Sequence, residues 1–211
     1  MYIKWHGHAC FEIGNTKKIV IDPHDGKSIG LPVPKPNANF VFVTHEHFDH
    51  NAINVVSGNF KVIDTLGNFK FEDIEGKVIS AYHDDSSGSK RGIIRIFKFN
   101  IGGFSFVHVG DLGHILDANA IKELHHPDFL FIPVGGNYTI NAEQAYKITK
   151  DIDPKVVVPM HYKVKNLSLG LRPVDDFIKL FPKEKIENVG NMIEFEKEDV
   201  PKETNVWVFS L

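Results

Sequence analysis

Short apolar runs, separated by glycine, proline, asparagine and aspartate, dominate the hydrophobic pattern of this chain. Runs of this length that are rich in Val, Ile and Phe are typical of β-strands packed on both faces. The pattern predicts twelve strands: Met1–Trp5, Ala9–Ile13, Lys18–Ile21, Phe40–Val43, Lys61–Ile63, Lys77–Ala81, Ile93–Phe99, Phe104–Val109, Phe129–Pro133, Lys155–Val158, Met192–Phe195 and Val206–Phe209. Strands come first and then alternate with helices, which favours one α/β layer structure.

Helical periodicity is rarer and lies mostly in the second half of the chain. Three segments are predicted as helices: Asp117–His126, Ala142–Lys150 and Val174–Phe181. Asn141 precedes the second of these and Gln144 follows three residues later, which approximates a capping box. Pro173 precedes the third segment, where the first turn of a helix accepts proline, and Pro182 follows it, where proline stops a helix.

The overall composition is that of one globular domain spanning residues 1–211, with 42% hydrophobic and 24% charged residues. The formal net charge of −3 gives no electrostatic footprint for nucleic acid or an anionic membrane. No run approaches the roughly 18 apolar residues of a membrane span, and no charged-then-apolar leader opens the sequence. The single cysteine, Cys10, excludes an internal disulfide and a thiolate-rich metal cage. We therefore expect a cytoplasmic protein with a small-molecule substrate.

Histidine is unusually frequent, with 12 in 211 residues, and its densest group follows an apolar strand as Thr44-His45-Glu46-His47-Phe48-Asp49-His50. His45 and His47 are two apart, so in an extended segment both side chains point the same way and can hold one ion. Asp49 and His50 follow where the chain should turn into a helix, and they can face a second ion. Imidazole and carboxylate ligands without thiolate suit Zn²⁺, Mn²⁺ or Fe²⁺.

This HxHxDH pattern resembles the signature of the metallo-β-lactamase superfamily. The resemblance implies an αβ/βα four-layer sandwich, in which two mixed β-sheets pack face to face with helices outside and metals bind at one sheet edge. It also implies a strand-end aspartate upstream that orients the ligands. Asp22, in the segment Ile19-Val20-Ile21-Asp22-Pro23, matches that position.

The same resemblance implies further metal ligands in a fixed order along the chain. His83 opens a loop, so it suits a ligand better than His108, which lies inside a predicted strand. Asp111 ends a strand and would bridge the metals, and His161 follows a later strand. The implied set is His45, His47 and His83 on one ion, Asp49, His50 and His161 on the other, and Asp111 between them.

The implied activity is metal-dependent hydrolysis of an ester, lactone or phosphodiester bond by a hydroxide that bridges two divalent metal ions, Zn²⁺ foremost. Asp49 would orient this hydroxide. Trp5-His6-Gly7-His8-Ala9 and Val134-Gly135-Gly136-Asn137-Tyr138-Thr139 look like the branch of ascorbate-6-phosphate lactonase and N-acylphosphatidylethanolamine phospholipase D. His8, next to Gly7, either stands at the mouth of the site or is a strand-start histidine hydrogen-bonded to the backbone. Tyr138, in the glycine-rich turn, either donates a hydrogen bond to a substrate oxyanion or is an ordinary packed tyrosine.

Several alternatives stay open at this point. The same ligands can hold a di-iron redox centre, or the fold can bind metal without turnover. His24 and His114 lie near Asp22 and Asp111 and could approach the metals, although simple exposure is the expected state of both. Lys90 and Arg91 could neutralise an anionic substrate, with a solvated loop as the default. The oligomeric state is left open.

Overall fold

The computed structural model describes residues 1–71 and 73–211, and strands dominate that part of the chain. Its strands are β1 (Tyr2–Trp5), β2 (Phe11–Gly14), β3 (Lys18–Ile21), β4 (Phe40–Phe42), β5 (Lys61–Ile63), β6 (Gly67–Phe71), β7 (Ile74–Tyr82), β8 (Ile93–Ile101), β9 (Phe104–His108), β10 (Phe129–Pro133), β11 (Val156–Met160), β12 (Ile186–Gly190), β13 (Met192–Glu194) and β14 (Asn205–Phe209). Its α-helices are α1 (Ala118–Leu124), α2 (Ala142–Ile152) and α3 (Asp175–Ile178). No helix among the described residues is long and apolar enough to cross a membrane.

The strands form two mixed sheets. The six-stranded sheet has the order β13-β1-β2-β3-β4-β5, and the eight-stranded sheet has the order β12-β14-β11-β10-β9-β8-β7-β6. Aromatic rings join them: Phe42 stacks on Phe97 at 4.7 Å between centroids, and Phe11 lies 4.6 Å from Phe131. Rings of this size carry much of the buried apolar area that stabilises such a core.

The two outer faces are covered differently. On the eight-stranded side, α2 packs against the sheet through Ala145, Ile148 and Ile152, and the predicted capping box of Asn141 and Gln144 is confirmed at its start. On the six-stranded side, the outer valines pack against the short 3₁₀ helix Ile53–Val55 and neighbouring loops. The predicted four-layer sandwich is confirmed, with one outer layer made of loop and 3₁₀ turn.

Parallel strands direct their carboxyl ends to one edge of the sandwich. Strands β3 and β4 are parallel in one sheet, and β9, β10 and β11 are parallel in the other. Ligand sites of α/β proteins form at such ends because the chain leaves the sheet there. Asp22 directly follows β3, the signature histidines follow β4, and His161 directly follows β11.

Three secondary-structure predictions need correction. Two strands were missed, β6 and β12; both are sheet edges with largely exposed residues, so they lack an apolar signal. The helix expected at Asp49 and His50 is a turn, in which the His50 N–H donates to the His47 carbonyl at 3.0 Å. The third helix is confined to α3, because the amides of Leu180 and Phe181 donate to carbonyls three residues back.

Candidate metal centre

The first two histidines of the signature lie beside a histidine from the other sheet. The His45 and His47 ring centroids are 4.6 Å apart, and His83, just after β7, lies 4.9 Å from His45 and 5.0 Å from His47. One ring nitrogen of each lies within 4.8 Å of those of the other two. These residues form the first cluster, which fits a single divalent cation.

A second cluster lies next to it and contains His8, Asp49, His50 and His161. One potential ligand atom of each lies within 4.8 Å of all the others. The Nε2–H of His8 donates to Asp49 Oδ2 at 3.1 Å, and the His8 ring lies 4.1 Å from that of His161. His8 thus joins the three residues that the family resemblance implies for the second ion.

Asp111 lies between the two clusters. Its Oδ2 is 3.1 Å from Nε2 of His161, 3.3 Å from that of His50 and 3.4 Å from that of His83. His83 belongs to the first cluster and the other two to the second. One carboxylate therefore contacts both groups, at a position suited to a bridging ligand.

Asp22 lies behind the clusters and fixes two imidazole tautomers. It accepts hydrogen bonds from the Thr44 amide at 2.8 Å, the Thr44 hydroxyl at 2.6 Å and His50 Nδ1–H at 2.9 Å. Because the Thr44 hydroxyl proton points to Asp22, His45 Nδ1–H donates to Thr44 Oγ1 at 2.9 Å. The Nε2 atoms of His45 and His50 are therefore left free to bind a cation.

Three residues near the clusters have a strained backbone conformation. His8, Asp22 and His161 have φ values of 57°, 48° and 53°, in the left-handed region that residues with a Cβ avoid. Each follows a strand or opens a tight turn at the shared edge. Strain of this kind concentrates at functional sites, where the surrounding structure holds it in place.

Six buried polar atoms of this centre lack any hydrogen-bond partner: His8 Nδ1, His45 Nε2, His50 Nε2, His83 Nδ1, Asp111 Oδ1 and His161 Nδ1. Across the described residues, the other atoms of this kind are limited to one in Asn205 and one in Trp207. A buried polar atom without a partner is costly. The cluster of such atoms, all nitrogen or carboxylate oxygen, fits the ligand preferences of Zn²⁺, Mn²⁺ or Fe²⁺.

Protonation states also suit cations. Burial lowers the pKa of His45 to about 2 and that of His8 to about 3, so both rings are neutral at pH 7. Burial acts to raise the pKa of Asp111, but the charges and hydrogen bonds of His161 and His50 hold it well below its ordinary value. Neutral imidazole and ionised carboxylate are the forms that bind metals.

His50 is the exception. Burial acts to lower its pKa, yet the charges of Asp111 and Asp22 on either side raise it well above its ordinary value. This environment therefore stabilises a positive charge at the centre of the cluster. A divalent cation would place its charge in the same position, in competition with the proton.

Three histidine expectations are revised by burial. His8 is fully buried, so it does not stand at the mouth of the site. His24 is also fully buried, and its ring joins the His6 carbonyl to the Gly26 amide. His114 is half-buried; its Nε2 accepts from the Tyr82 amide at 3.2 Å. Neither His24 nor His114 belongs to the two clusters.

His108 has a positioning role that the sequence did not reveal. It is buried, and its Nε2–H donates to the Ala9 carbonyl at 3.2 Å, while its Nδ1 accepts from the Gly110 amide at 3.2 Å. Ala9 and Gly110 are the chain neighbours of His8 and Asp111. This ring thus connects the turn after β1 to the loop after β9.

A cavity of about 280 Å³ opens over the clusters. Its walls include five members of the implied ligand set and four further residues: His47, Asp49, His83, Asp111 and His161, with Phe48, Arg91, Tyr138 and Leu169. The guanidinium of Arg91 lies over the Tyr138 ring, 4.8 Å from its centroid. The cavity lies near the lower end of the size range of small-molecule pockets.

Comparisons with known proteins agree with this geometry. A sequence model of the beta-lactamase superfamily domain matches residues 2–161. A UPF0173 metal-dependent hydrolase of Thermoplasma acidophilum is 30% identical, with 78% of this chain and 84% of the relative covered. A Thermotoga maritima crystal structure, of a protein proposed as a Zn-dependent hydrolase of the metallo-β-lactamase superfamily, superposes with a TM-score of 0.82 at 38% identity and covers 99% of this chain and 97% of its own. A metallo hydrolase of Ignicoccus hospitalis matches with a TM-score of 0.60 at 25% identity and coverages of 77% and 82%.

Proposed function

Because the chain belongs to the metallo-β-lactamase superfamily and, within it, to the UPF0173 metal-dependent hydrolases, we propose that it binds two divalent cations, Zn²⁺ foremost, and hydrolyses an ester, lactone or phosphodiester bond of a small molecule. That the protein is a metal-dependent hydrolase follows from the family. The number and identity of the metal ions and the bond cleaved are our proposal.

The position of Asp111 is the observation that carries this proposal. Its Oδ2 lies within 3.4 Å of imidazoles from both clusters. Two cations that share this carboxylate would therefore supply partners for the buried imidazole nitrogens and balance the charge of the buried carboxylates. The proposed ligands are His45, His47 and His83 for one cation, Asp49, His50 and His161 for the other, and Asp111 for both. Bound there, the cations would supply Lewis acidity, which lowers the pKa of water to about 7 and polarises the bond to be cleaved.

The chain's own side chains would then guide the reaction. Asp49 is oriented by the hydrogen bond from His8 at 3.1 Å, so its carboxylate is placed to accept a hydrogen bond from the attacking water and to orient it. Burial acts to raise the pKa of Asp49, but that hydrogen bond and the charge of His50 keep it below its ordinary value, which preserves an acceptor at neutral pH.

Tyr138 is the proposed electrophilic group. It is half-buried and lines the cavity above the clusters, where its hydroxyl would donate a hydrogen bond to an oxyanion formed at the substrate. The N-terminal Trp5–Ala9 segment and the glycine-rich turn before Tyr138 favour lactone or phosphodiester chemistry, through their resemblance to ascorbate-6-phosphate lactonase and N-acylphosphatidylethanolamine phospholipase D.

Elemental analysis of the purified protein, combined with hydrolysis of lactone and phosphodiester chromogens, tests the proposal. We expect about two equivalents of zinc or manganese per chain and turnover on at least one panel. His126→Ala is the control variant and should keep the metal content and activity of the wild type, because His126 is exposed and belongs to neither cluster. Full metal occupancy without hydrolysis on either panel would contradict the bond classes proposed, and iron with a redox spectrum would support the di-iron alternative.

A further inference from the structure

Arg91, one of the residues that line the cavity, belongs to a loop whose course is fixed by its own aspartate. We call residues 84–92 the anchored loop. The buried Asp84 carboxylate accepts four backbone N–H groups at 2.8–3.0 Å, from Ser86, Gly88, Lys90 and Arg91. Four such bonds to a carboxylate fix the course of the loop, so the Arg91 side chain starts from a defined backbone position.

The Arg91 side chain is directed over the cavity. Its guanidinium lies over the Tyr138 ring at 4.8 Å, and both side chains line the cavity above Asp49 and Asp111. Stacking covers a face of the guanidinium but leaves its N–H edge accessible. This edge is the part that binds carboxylate or phosphate in a bidentate manner.

The two cations of the anchored loop differ in their partners. Lys90 Nζ is neutralised by Asp85 at 3.0 Å. Arg91 forms no ion pair with any carboxylate of residues 1–71 and 73–211. Among the cavity-lining residues the structure describes, Arg91 supplies the one lysine or arginine side chain.

We propose that Arg91 binds an anionic substituent of the substrate, a carboxylate or a phosphate, beside the bond that is cleaved. The proposal rests on the proposed hydrolase function and narrows its substrate class to small anionic esters, lactones or phosphodiesters. Tyr138 and the Asp84-anchored backbone hold the guanidinium in place, so little side-chain entropy is lost on binding.

Two matched esters test this assignment. p-Nitrophenyl pentanoate and mono-p-nitrophenyl glutarate differ only in a terminal methyl group against a terminal carboxylate. We expect Arg91→Ala to lower kcat/KM for the glutarate ester by about 10- to 100-fold, mainly through KM, and to change the pentanoate ester by less than about threefold. Arg91→Lys should recover part of the loss, because it keeps the charge without the planar fork.

Lys90→Ala is the control variant, since it removes the neighbouring charge from the same loop and should leave both esters unchanged. Equal losses on both esters in Arg91→Ala would overturn the proposal, because Arg91 would then act only by supporting the loop. No loss on either ester would overturn it as well, because Arg91 would then not bind the carboxylate.

A binding measurement separates this proposal from the hydrolase proposal. Inorganic phosphate is titrated calorimetrically into the zinc-loaded wild type and Arg91→Ala, without any turnover. About tenfold weaker phosphate binding in the variant supports the anion site even where neither ester is hydrolysed. Equal phosphate affinities would overturn the anion site even where both esters are cleaved.

Discussion

At the scale of single residues, the centre depends on which ring nitrogen of each histidine faces the cavity. Asp22 determines this for His50 directly and for His45 through the Thr44 hydroxyl. Such partners orient a metal-binding imidazole and raise its basicity. Asp22 itself adopts a left-handed backbone with φ 48°, a conformation that asparagine also tolerates.

The first prediction concerns this carboxylate. Asp22→Asn keeps the backbone conformation but removes the charge, and Asp22→Ala removes both acceptor atoms. We expect each to lower metal content or activity by about 10- to 100-fold. Metal stoichiometry after dialysis and the rate of hydrolysis measure the effect. Asp25→Asn, three positions along the same loop, is the control, and an unchanged stoichiometry and rate in the Asp22 variants would refute the role.

The second prediction isolates the Tyr138 hydroxyl. Tyr138→Phe keeps the ring under Arg91, so substrate binding and KM should stay near those of the wild type. The loss of an oxyanion donor should lower kcat by about 100-fold. Tyr146→Phe, on α2 outside the cavity, gives the comparison. A wild-type kcat in Tyr138→Phe would leave Tyr138 with a packing role alone.

The residues of the metal centre differ in how well their roles can be predicted from the sequence. His45, His47, Asp49 and His50 stand in one short segment, so their spacing alone indicates a metal site. His8 could not be placed in the same way, because its role depends on a left-handed turn that folds it under Asp49. Its proximity to Asp49 depends on the strand order of the six-stranded sheet, and its proximity to His161 depends on the packing of the two sheets.

At the scale of elements, the ends of β9, β10 and β11 opposite the metal centre are tied together by one carboxylate. Asp128 accepts hydrogen bonds from the Ser105 amide at 2.8 Å, the Ser105 hydroxyl at 3.0 Å and Lys155 Nζ at 2.8 Å. Burial acts to raise the pKa of Asp128, but these partners lower it below its ordinary value.

The third prediction follows from the lowered pKa of Asp128. A carboxylate with a lowered folded-state pKa stabilises the protein above its unfolded pKa of about 3.9, and that stability is lost as the pH falls through the folded value. Asp128→Asn should therefore lower the free energy of unfolding by about 1–3 kcal/mol at pH 7. The difference from wild type should shrink below about pH 4.

Urea unfolding at pH 7 and at pH 3.5 measures this difference. Asp151→Asn is the control, because Asp151 is an exposed partner of Lys147 on α2 and such pairs contribute little. A deficit in Asp128→Asn that persists undiminished at the lower pH would refute the electrostatic cause.

The accuracy of strand prediction depended on the apolar signal of each strand. The inner strands β3 and β10 were predicted with the bounds that the structure has, because apolar runs and turn residues mark both ends, and the edge strand β5 was predicted equally well from its short apolar run. The edge strands β6 and β12 were missed, since an edge needs neither two apolar faces nor a regular pattern. The turn at His50 was predicted as a helix because local sequence carries no information on the Ala52 amide, which donates to the Pro23 carbonyl at 2.8 Å.

At the scale of the whole molecule, the structure buries several charged and polar groups of the centre without partners. Cations that bind the folded state alone would stabilise it by mass action, by about 4 kcal/mol at a concentration 1,000 times Kd.

The fourth prediction is that removal of metal with a chelator lowers Tm by several degrees and that zinc restores it. Thermal unfolding of dialysed and reloaded protein checks this, and identical Tm values would contradict the cation site.

The proposed ligands come from both sheets: the signature residues follow β4 of one, and His83, Asp111 and His161 follow strands of the other. Neither half of the sandwich carries a complete set, so a fragment with only one half has no tight coordination sphere. Zinc retention by a truncated, permuted or redesigned variant of the protein therefore reports whether its two sheets have packed together correctly. A measurement of bound metal is enough for this test, and no substrate is needed.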